Sequence, residues 1–381
     1  MTDRELLALG YDIIYLISCA IKDEIPEKEK VNNMSFADIY SLSAKHTVTA
    51  LIGYPLCKCD FLSQDEKVPF SNAVDIAKLR AVTVGAERES ILSFMRENGI
   101  WYLLMKGLVI RDLYPKSYLR EMTDNDILYN SDFYGKVKQF MLSKGYKSDT
   151  VTAGTSVDEY EAEPYFYFEL HKRFFMADED LYNSYYADMS KFLVKTDSDF
   201  EYKLSDEDFY VYMVLHSFKH YKSGGIGIRF LIDCYLYNEK KKSLDRSYID
   251  EQLKILQIYD FEKEFSRLAK SLFENEKLSK DDEEKFLCYL KSDTFGTQSQ
   301  RLKKSIEKIS GNDNFGDEEK KKYIKNRLFP DLEWFRGNVP FCYNHRWAIP
   351  FYDIYRLFSR GIKNRKKIKK EVKEIKKLGR D

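Results

Sequence analysis

Three short segments decide the fold: IWYLLMKG (residues 100–107), REMTDNDILY (120–129) and YFYFELHKRFF (165–175). The first is a brief apolar run that ends in a glycine turn, which is typical of a buried strand. The second runs from polar to apolar and the third alternates between two faces, so both also predict strands. A helix is predicted over 131–145, ended by a glycine. The middle of the chain is therefore predicted to be a small α/β unit.

The sequence on either side of this unit predicts helices. Before it, apolar residues recur at helical spacing near the N-terminus, and a longer helix is predicted over 72–97. After it, predicted helices follow at about 206–222, 228–238, 247–257, 260–275, 280–292, 317–328 and 350–378. The predicted fold class is α+β, a small mixed-sheet core flanked by helical regions. The predicted segments are an N-terminal helical region (1–85), an α/β core (86–203) and a C-terminal helical domain with a basic tail (204–381).

Composition excludes several classes of protein. The 381 residues include 62 Lys+Arg and 62 Asp+Glu, so the whole chain is not a polybasic nucleic-acid binder. The 29 Tyr and 26 Phe supply large apolar side chains, which excludes a mostly disordered chain. No run approaches the ~18 apolar residues that a membrane span needs. The six cysteines lack zinc-site spacing, which indicates reduced thiols and a cytoplasmic protein.

Two aspartates, Asp124 and Asp126, begin the second predicted strand. Alternate residues of a strand share a face, so both carboxylates are expected on one face with Cα atoms ~6.5–7 Å apart. Acids at this spacing repel unless a cation joins them, and Mg²⁺ with substrate phosphates is such a cation. The repulsion predicts that Asp126→Asn leaves the metal-free protein equally or slightly more stable. Two solvated acids in a turn are the alternative interpretation.

Two further features adjoin this pair of acids. Lys106-Gly107 lies where the first strand gives way to a helix at about 108–114, and glycine there lets backbone approach a phosphate. Glu169 lies in an apolar strand, where an unpaired carboxylate is costly, so it is a candidate ligand or general base. His171 shares its face of that strand. An ordinary strand-to-helix turn and a partly buried structural histidine are the alternatives.

The order of these motifs resembles the uncharacterised nucleotidyltransferase family labelled NTP_transf_5, a branch of the polymerase-β-like nucleotidyltransferase superfamily. The segments that carry the resemblance are LLMKGLVIRDLYP (103–115), LREMTDNDILY (119–129) and YFELHKRF (167–174). Two later segments extend it, VLHSFKHYKSGGIGIRFLIDCYLY (214–237) and RLFPDLEWF (327–335). The resemblance covers most of the chain from about residue 36 onward.

The resemblance implies a Mg²⁺-dependent transferase that moves a nucleotidyl group from an NTP, ATP included, to a hydroxyl-bearing acceptor. The acceptor is unknown and is a small molecule, a protein or an RNA. The catalytic residues, which also bind two Mg²⁺ ions, are implied to be Asp124, Asp126 and Glu169. The nucleotide-binding residues are expected to be Lys106, Gly107, Arg120 and His171.

Two departures from the superfamily pattern affect this expectation. The superfamily has Gly-Ser in the turn where this chain has Lys106-Gly107, so a lysine charge replaces a hydroxyl. The third acid is commonly Asp in the superfamily and is Glu169 here, so the metal geometry is expected to differ. For Arg120, the alternative to a triphosphate contact is a salt bridge to Glu121 or another nearby acid.

Two other functions stay open on sequence alone. A non-catalytic nucleotide-binding or scaffold protein with a vestigial core would keep the fold without Mg²⁺-dependent NTP binding. A tRNA-modifying toxin-type enzyme is favoured only by the tail, since residues 356–380 include twelve Lys or Arg and two Glu. Such a tail suggests a nucleic-acid contact. A solvated amphipathic helix packed on the domain is the alternative interpretation of the tail.

Overall fold

The computed structural model describes residues 1–148, 155–175, 180–292, 294, 302, 305–306, 316–363 and 375. Its strands are β1 (Tyr102–Leu104), β2 (Asn125–Tyr129), β3 (Val157–Ala162), β4 (Phe166–His171), β5 (Val194–Lys195) and β6 (Glu201–Lys203). Its helices are α1 (Asp3–Lys22), α2 (Lys28–Val31), α3 (Phe36–Lys45), α4 (Thr49–Leu56), α5 (Gln64–Glu97), α6 (Gly107–Ile110), α7 (Tyr134–Ser143), α8 (Asp180–Tyr185), α9 (Asp206–Gly224), α10 (Ile228–Lys240), α11 (Arg246–Ile255), α12 (Tyr259–Phe273), α13 (Lys280–Lys291), α14 (Asp317–Leu328), α15 (Leu332–Asn338), α16 (Pro340–Asn344) and α17 (Ile349–Lys363). Short 3-10 helices lie at Arg111–Leu113, Ser117–Leu119, Ser131–Phe133, Met189–Lys191 and Arg346–Ala348.

The six strands form one mixed sheet in the order β3-β4-β2-β1-β6-β5. Strand β2 runs antiparallel to β1 and parallel to β4, and β1 runs parallel to β6. The outer pairs β3-β4 and β5-β6 are antiparallel. All five residues of β2 are buried, as expected for a central strand. The predicted α+β fold, a small mixed sheet flanked by helices, is confirmed.

The two faces of the sheet pack against different helices. On one face, Ile127 and Leu170 belong to a core that also contains Ile91 of α5 and Val137 of α7. On the other face, Leu128 joins a larger core built with helices from both ends of the chain. The central strands β1 and β2 therefore alternate between two apolar layers, and a polar side chain facing either layer needs a partner.

Helix α5 connects the predicted N-terminal region to the core. It begins at Gln64 rather than near residue 72, because Ser63 and Glu66 form a capping box there. It then continues unbroken to Glu97, through the predicted boundary at residue 85. Helices α1 and α13, which are far apart in the sequence, also pack together. The division into three segments stays a prediction.

Other elements differ from expectation in length. The third predicted strand is β4, which is shorter than 165–175 and pairs with a strand, β3, that the sequence pattern did not indicate. The last predicted helix is seen as α17, and its continuation over 364–374 and 376–378 lies outside the described residues. No helix in the described part of the chain is long and apolar enough to cross a lipid bilayer.

Candidate active site

Strand register brings an aspartate and a glutamate side by side. Asp126 of β2 is the register partner of Glu169 of β4, and His171 follows two residues later on the same face. One donor atom from each of these three side chains lies within 4.8 Å of the other two. Asp126 and His171 are buried, whereas Glu169 is partly exposed. These residues form what we call the acid cluster.

The ammonium group of Lys106 lies in the acid cluster. Its Nζ is 2.5 Å from Asp126 Oδ1 and 3.6 Å from Glu169 Oε2. Nε2 of His171 lies 2.9 Å from the same Asp126 oxygen and 3.4 Å from Glu169 Oε2. A positive charge therefore occupies the position where the sequence predicts a metal cation, and the cation is supplied by the chain itself.

The backbone at Lys106 adopts a conformation that disfavours a side chain. Its φ is +48° and its ψ is −123°, in the left-handed half of conformational space where residues other than glycine are uncommon. Such a conformation costs on the order of 1–3 kcal/mol and persists only where surrounding contacts enforce it. The ion pair with Asp126 and the backbone bond from Met105 to the Asp126 carbonyl (3.1 Å) are two such contacts.

The electrostatics of the two aspartates differ. Burial alone would raise the pKa of Asp126, but the Lys106 charge and the hydrogen bond from His171 outweigh it and hold the pKa well below its usual range. At Asp124, burial and then the negative charge of Asp126 raise the pKa. The premise that Asp126 is an unpaired, repelled acid is therefore wrong, and Asp126→Asn is expected to destabilise the metal-free protein. The repulsion acts on Asp124 instead.

Gly107 is required by a neighbouring side chain. It is the first residue of α6, and a Cβ there would lie 2.2 Å from Arg120 Nη1 and 2.9 Å from Met122 Sδ. A larger residue would therefore displace the Arg120 guanidinium. A β-branched residue at Gly107 is therefore expected to lower the stability of the fold as well as to disturb the pocket.

Arg120 is paired within the protein. Its Nε and Nη2 donate to Oδ1 and Oδ2 of Asp233 on α10 at 2.9 and 2.7 Å. The Tyr114 hydroxyl also donates to Oδ1 of Asp233, at 2.7 Å. The salt bridge predicted as the alternative role of Arg120 is therefore present, but its partner is Asp233, which is distant in sequence, and not Glu121. A triphosphate contact by Arg120 would be made by a guanidinium already held in a bidentate pair.

A pocket joins these residues between the sheet and the C-terminal helices. It encloses about 500 Å³ of empty space, its mouth included. The predicted site residues among its lining are Lys106, Gly107, Arg120, Asp124 and Asp126. Helices α9 and α10 contribute further lining residues that the site prediction missed, among them Tyr212, His216 and Arg229. Burial, then the neighbouring His220, lowers the pKa of His216. His216 and Arg229 each carried a sequence signal, because each lies four residues from another polar residue of its helix, His220 and Asp233 respectively.

A mixed sheet that presents acids in register on adjacent central strands, beside a Lys-Gly turn, agrees with the nucleotidyltransferase core that the resemblance implies. The chain belongs to the family described as uncharacterised nucleotidyltransferase, whose model matches residues 32–274. The suspected family is confirmed. The matched residues include the acid cluster and the segment 214–237 but end before RLFPDLEWF (327–335). Searches of curated proteins and of solved structures each returned no match.

Proposed function

We propose that the chain is a Mg²⁺-dependent nucleotidyltransferase that moves a nucleotidyl group from an NTP to a hydroxyl-bearing acceptor. The observation that carries the proposal is the acid cluster: Asp126 and Glu169 in register, with the ammonium of Lys106 between them. Buried acids are costly, and one use for them is to hold a charged substrate complex.

The donor atoms fit a divalent cation. Asp126 and Glu169 offer oxygens, which Mg²⁺ prefers, and Asp124 lines the same pocket. The position already holds a cationic group, which supports its affinity for positive charge. We therefore assign Asp124, Asp126 and Glu169 as the residues that would hold Mg²⁺, with two ions as the working number. Bound Mg²⁺ would supply stabilisation of the negative charge that develops on the phosphoryl oxygens.

The chain's own residues then have separate roles. In the transfer, the acceptor oxygen forms a bond to the α-phosphorus, the bond from that phosphorus to the bridging oxygen breaks, and pyrophosphate leaves. Glu169 is partly exposed and is assigned as the group that takes the acceptor proton. His171 orients Asp126 and Glu169 through its Nε2. Lys106, once released from Asp126, is assigned to the triphosphate, and Gly107 and Arg120 line its pocket.

The direct test is transfer of a label. The protein is incubated with each α-labelled NTP, Mg²⁺ and cell extract, and the molecule that acquires the label is identified. Asp126→Asn should abolish the labelling, whereas the exposed Asp132→Asn should not, because Asp132 lies outside the acid cluster. Lack of transfer together with lack of Mg²⁺-dependent NTP binding by calorimetry would favour the non-catalytic alternative. Absence of Mg²⁺-dependent NTP binding would contradict the proposal.

Two secondary assignments stay predictions. A cytoplasmic location is supported by the six cysteines, all of which are free thiols. The nucleic-acid contact of the tail rests on its sequence alone, and most of that tail lies outside the described residues. Deleting residues 361–381 should reduce the affinity for tRNA and its salt dependence if the contact exists. Unchanged tRNA binding would remove the argument for a tRNA-modifying enzyme.

A further inference from the structure

A second cleft, which we call the arginine cleft, lies beside the acid cluster and is not used by the proposed function. It is formed by α5, the 3-10 helix Ser117–Leu119, the loop 120–123 and the start of β2. It encloses about 620 Å³ of empty space, its mouth included. Four arginines line it. Arg120 is paired with Asp233, and the other three are Arg80, Arg88 and Arg111.

These three arginines are poorly neutralised by the protein. Arg88 donates from Nη1 to the neutral amide oxygen of Asn125 at 3.0 Å and has no carboxylate partner in the described part of the chain. Arg80 lies over the Tyr165 ring, 5.1 Å from its centroid. Arg111 lies 3.5 Å from a carboxylate oxygen of Asp112, whose side chain is 73% exposed and therefore well solvated.

The one acid among the lining residues of the cleft already has a partner. Glu121 lines the cleft, but its Oε2 accepts a hydrogen bond from the backbone N–H of Ala50 at 3.0 Å. Burial lowers the pKa of Arg88 and the positive charge of Arg111 lowers it further, while the negative charges of Asp112 and Glu89 act in the opposite direction and leave it lowered. Like charges that converge in a partly buried cleft are stabilised by an anion bound between them.

The other residues that line the arginine cleft indicate what kind of group would be attached to a bound anion. Ala77, Ala81, Val84 and Met122 provide apolar surface next to the arginines. The Tyr165 ring is fixed by a hydrogen bond of 2.9 Å between its hydroxyl and Thr83 Oγ1. An anionic group attached to an apolar or aromatic body therefore matches the cleft better than a bare ion.

The arginine cleft and the acid pocket lie on opposite sides of one chain segment. Asn125 lines the first and its neighbours Asp124 and Asp126 line the second, as strand alternation requires. Arg120 lines both. We infer that the arginine cleft binds the phosphate group of the acceptor, so that the substrate of this transferase is a phosphate-bearing hydroxyl compound. The identification of the ligand as the acceptor rests on the proposed function, whereas the existence of an anion site in the arginine cleft does not depend on it.

The test measures binding of phenyl phosphate, a phosphate on an aromatic body, by calorimetry without metal. The wild type should bind it saturably, and Arg88→Gln/Arg111→Gln should weaken binding by at least about tenfold, since charge-assisted bonds to phosphate are lost. The control Lys28→Gln/Lys136→Gln removes two exposed charges elsewhere and should bind normally. If the double variant fails to fold, Arg88→Lys serves instead, because it keeps the charge and loses the planar fork. Phenylacetate in a parallel titration separates phosphate from carboxylate, and binding only of phenylacetate would overturn the assignment.

A second titration with Mg²⁺ and ATP separates the two proposals. Loss of phenyl phosphate binding with unchanged ATP binding in the arginine variant supports an acceptor site. Equal loss of both ligands would overturn it, because the cleft would then hold the NTP. No saturable phenyl phosphate binding by the wild type, or no difference between wild type and variant, would overturn the anion site. Failure of the wild type to bind ATP with Mg²⁺ would sink the transferase proposal and leave the phenyl phosphate result to decide the anion site.

Discussion

Replacing Lys106 with methionine tests whether its ammonium occupies a cation site. The substitution keeps a long flexible side chain and the strained backbone, and removes only the charge. Lys106 and Asp126 are mostly buried, with side-chain exposures of 17% and 4%. Removing one partner of a buried pair costs ~3–5 kcal/mol, because the other charge is left without compensation. We expect a loss of about 3 kcal/mol in metal-free buffer, since His171 still contacts Asp126.

Mg²⁺ should restore much of this loss. In Lys106→Met, Mg²⁺ enters the acid cluster without competition from an ammonium group. A ligand present at 100 times its Kd stabilises the folded state by ~2.7 kcal/mol. In the wild type the ion must first displace the ammonium, so the same Mg²⁺ concentration should stabilise less. The expected result is a Tm that depends more steeply on Mg²⁺ in Lys106→Met than in the wild type. Thermal melts over a Mg²⁺ series at constant ionic strength measure this.

Lys172→Met is the matched control. Lys172 Nζ lies 2.8 Å from Oδ1 of Asp158, and both side chains are at least as buried as the Lys106 pair. Loss of the Lys172 charge should destabilise the protein similarly, but it leaves only one carboxylate, that of Asp158, without its lysine partner. Mg²⁺ should therefore not rescue it. Equal Mg²⁺ responses of the two variants, or no response of Lys106→Met, would refute the view that Lys106 stands in a cation site.

Three further outcomes are expected. Asp126→Asn should lower the stability of the metal-free protein by roughly 2–4 kcal/mol, as measured by denaturant titration. It should also weaken NTP binding, measured by calorimetry, more than Glu169→Gln does, and equal NTP affinities of the two variants would contradict this expectation. Gly107→Val should cost ~1–3 kcal/mol because its Cβ meets the Arg120 guanidinium, and an unchanged unfolding midpoint would count against that contact. Burial lowers the pKa of His46 to about 4, below the ~6.5 of an unfolded histidine, so the unfolded chain takes up the proton first. Stability present above pH ~6.5 should therefore fall by roughly 3 kcal/mol as the pH drops to ~4, and His46→Gln should flatten this profile; an unaltered slope would contradict it.

Hydrophobic patterning predicted the three strands that carry the site. Alternation also predicted that Glu169 and His171 share a face, and the structure places both beside Asp126. The pattern could not predict which strands pair. Strand β2 takes β4 as its parallel neighbour, so the register that aligns Asp126 with Glu169 depends on a crossover through α7 and β3. A period of two determines a face, but not a neighbouring strand.

Strand β3 was missed because half of its sequence, Val157–Ala162, is acidic. Glu159 and Glu161 are exposed, and Tyr160 is the one large apolar anchor, completely buried. A strand with so few apolar residues forms by pairing with β4 rather than from its own propensity. The same limit applies to Arg120. Its partner Asp233 lies 113 positions away, on a helix whose approach depends on the larger core.

Lys106 shows how a residue's charge can be predicted and its partner missed. The sequence predicts a lysine beside a glycine turn near two acids, with its ammonium group in contact with a phosphate. In the structure that ammonium group forms an ion pair with Asp126. Glycine would adopt a φ of +48° with little strain, so the ammonium is the feature that a lysine adds at this position. A flexible side chain that neutralises the acids in the free protein is well suited to neutralise a phosphate once a metal-bound nucleotide replaces it. The observed ion pair and the predicted phosphate contact then belong to successive states of one site. This order requires Lys106→Met to gain Mg²⁺ affinity while losing NTP affinity, and a variant that changes both in the same direction would contradict it.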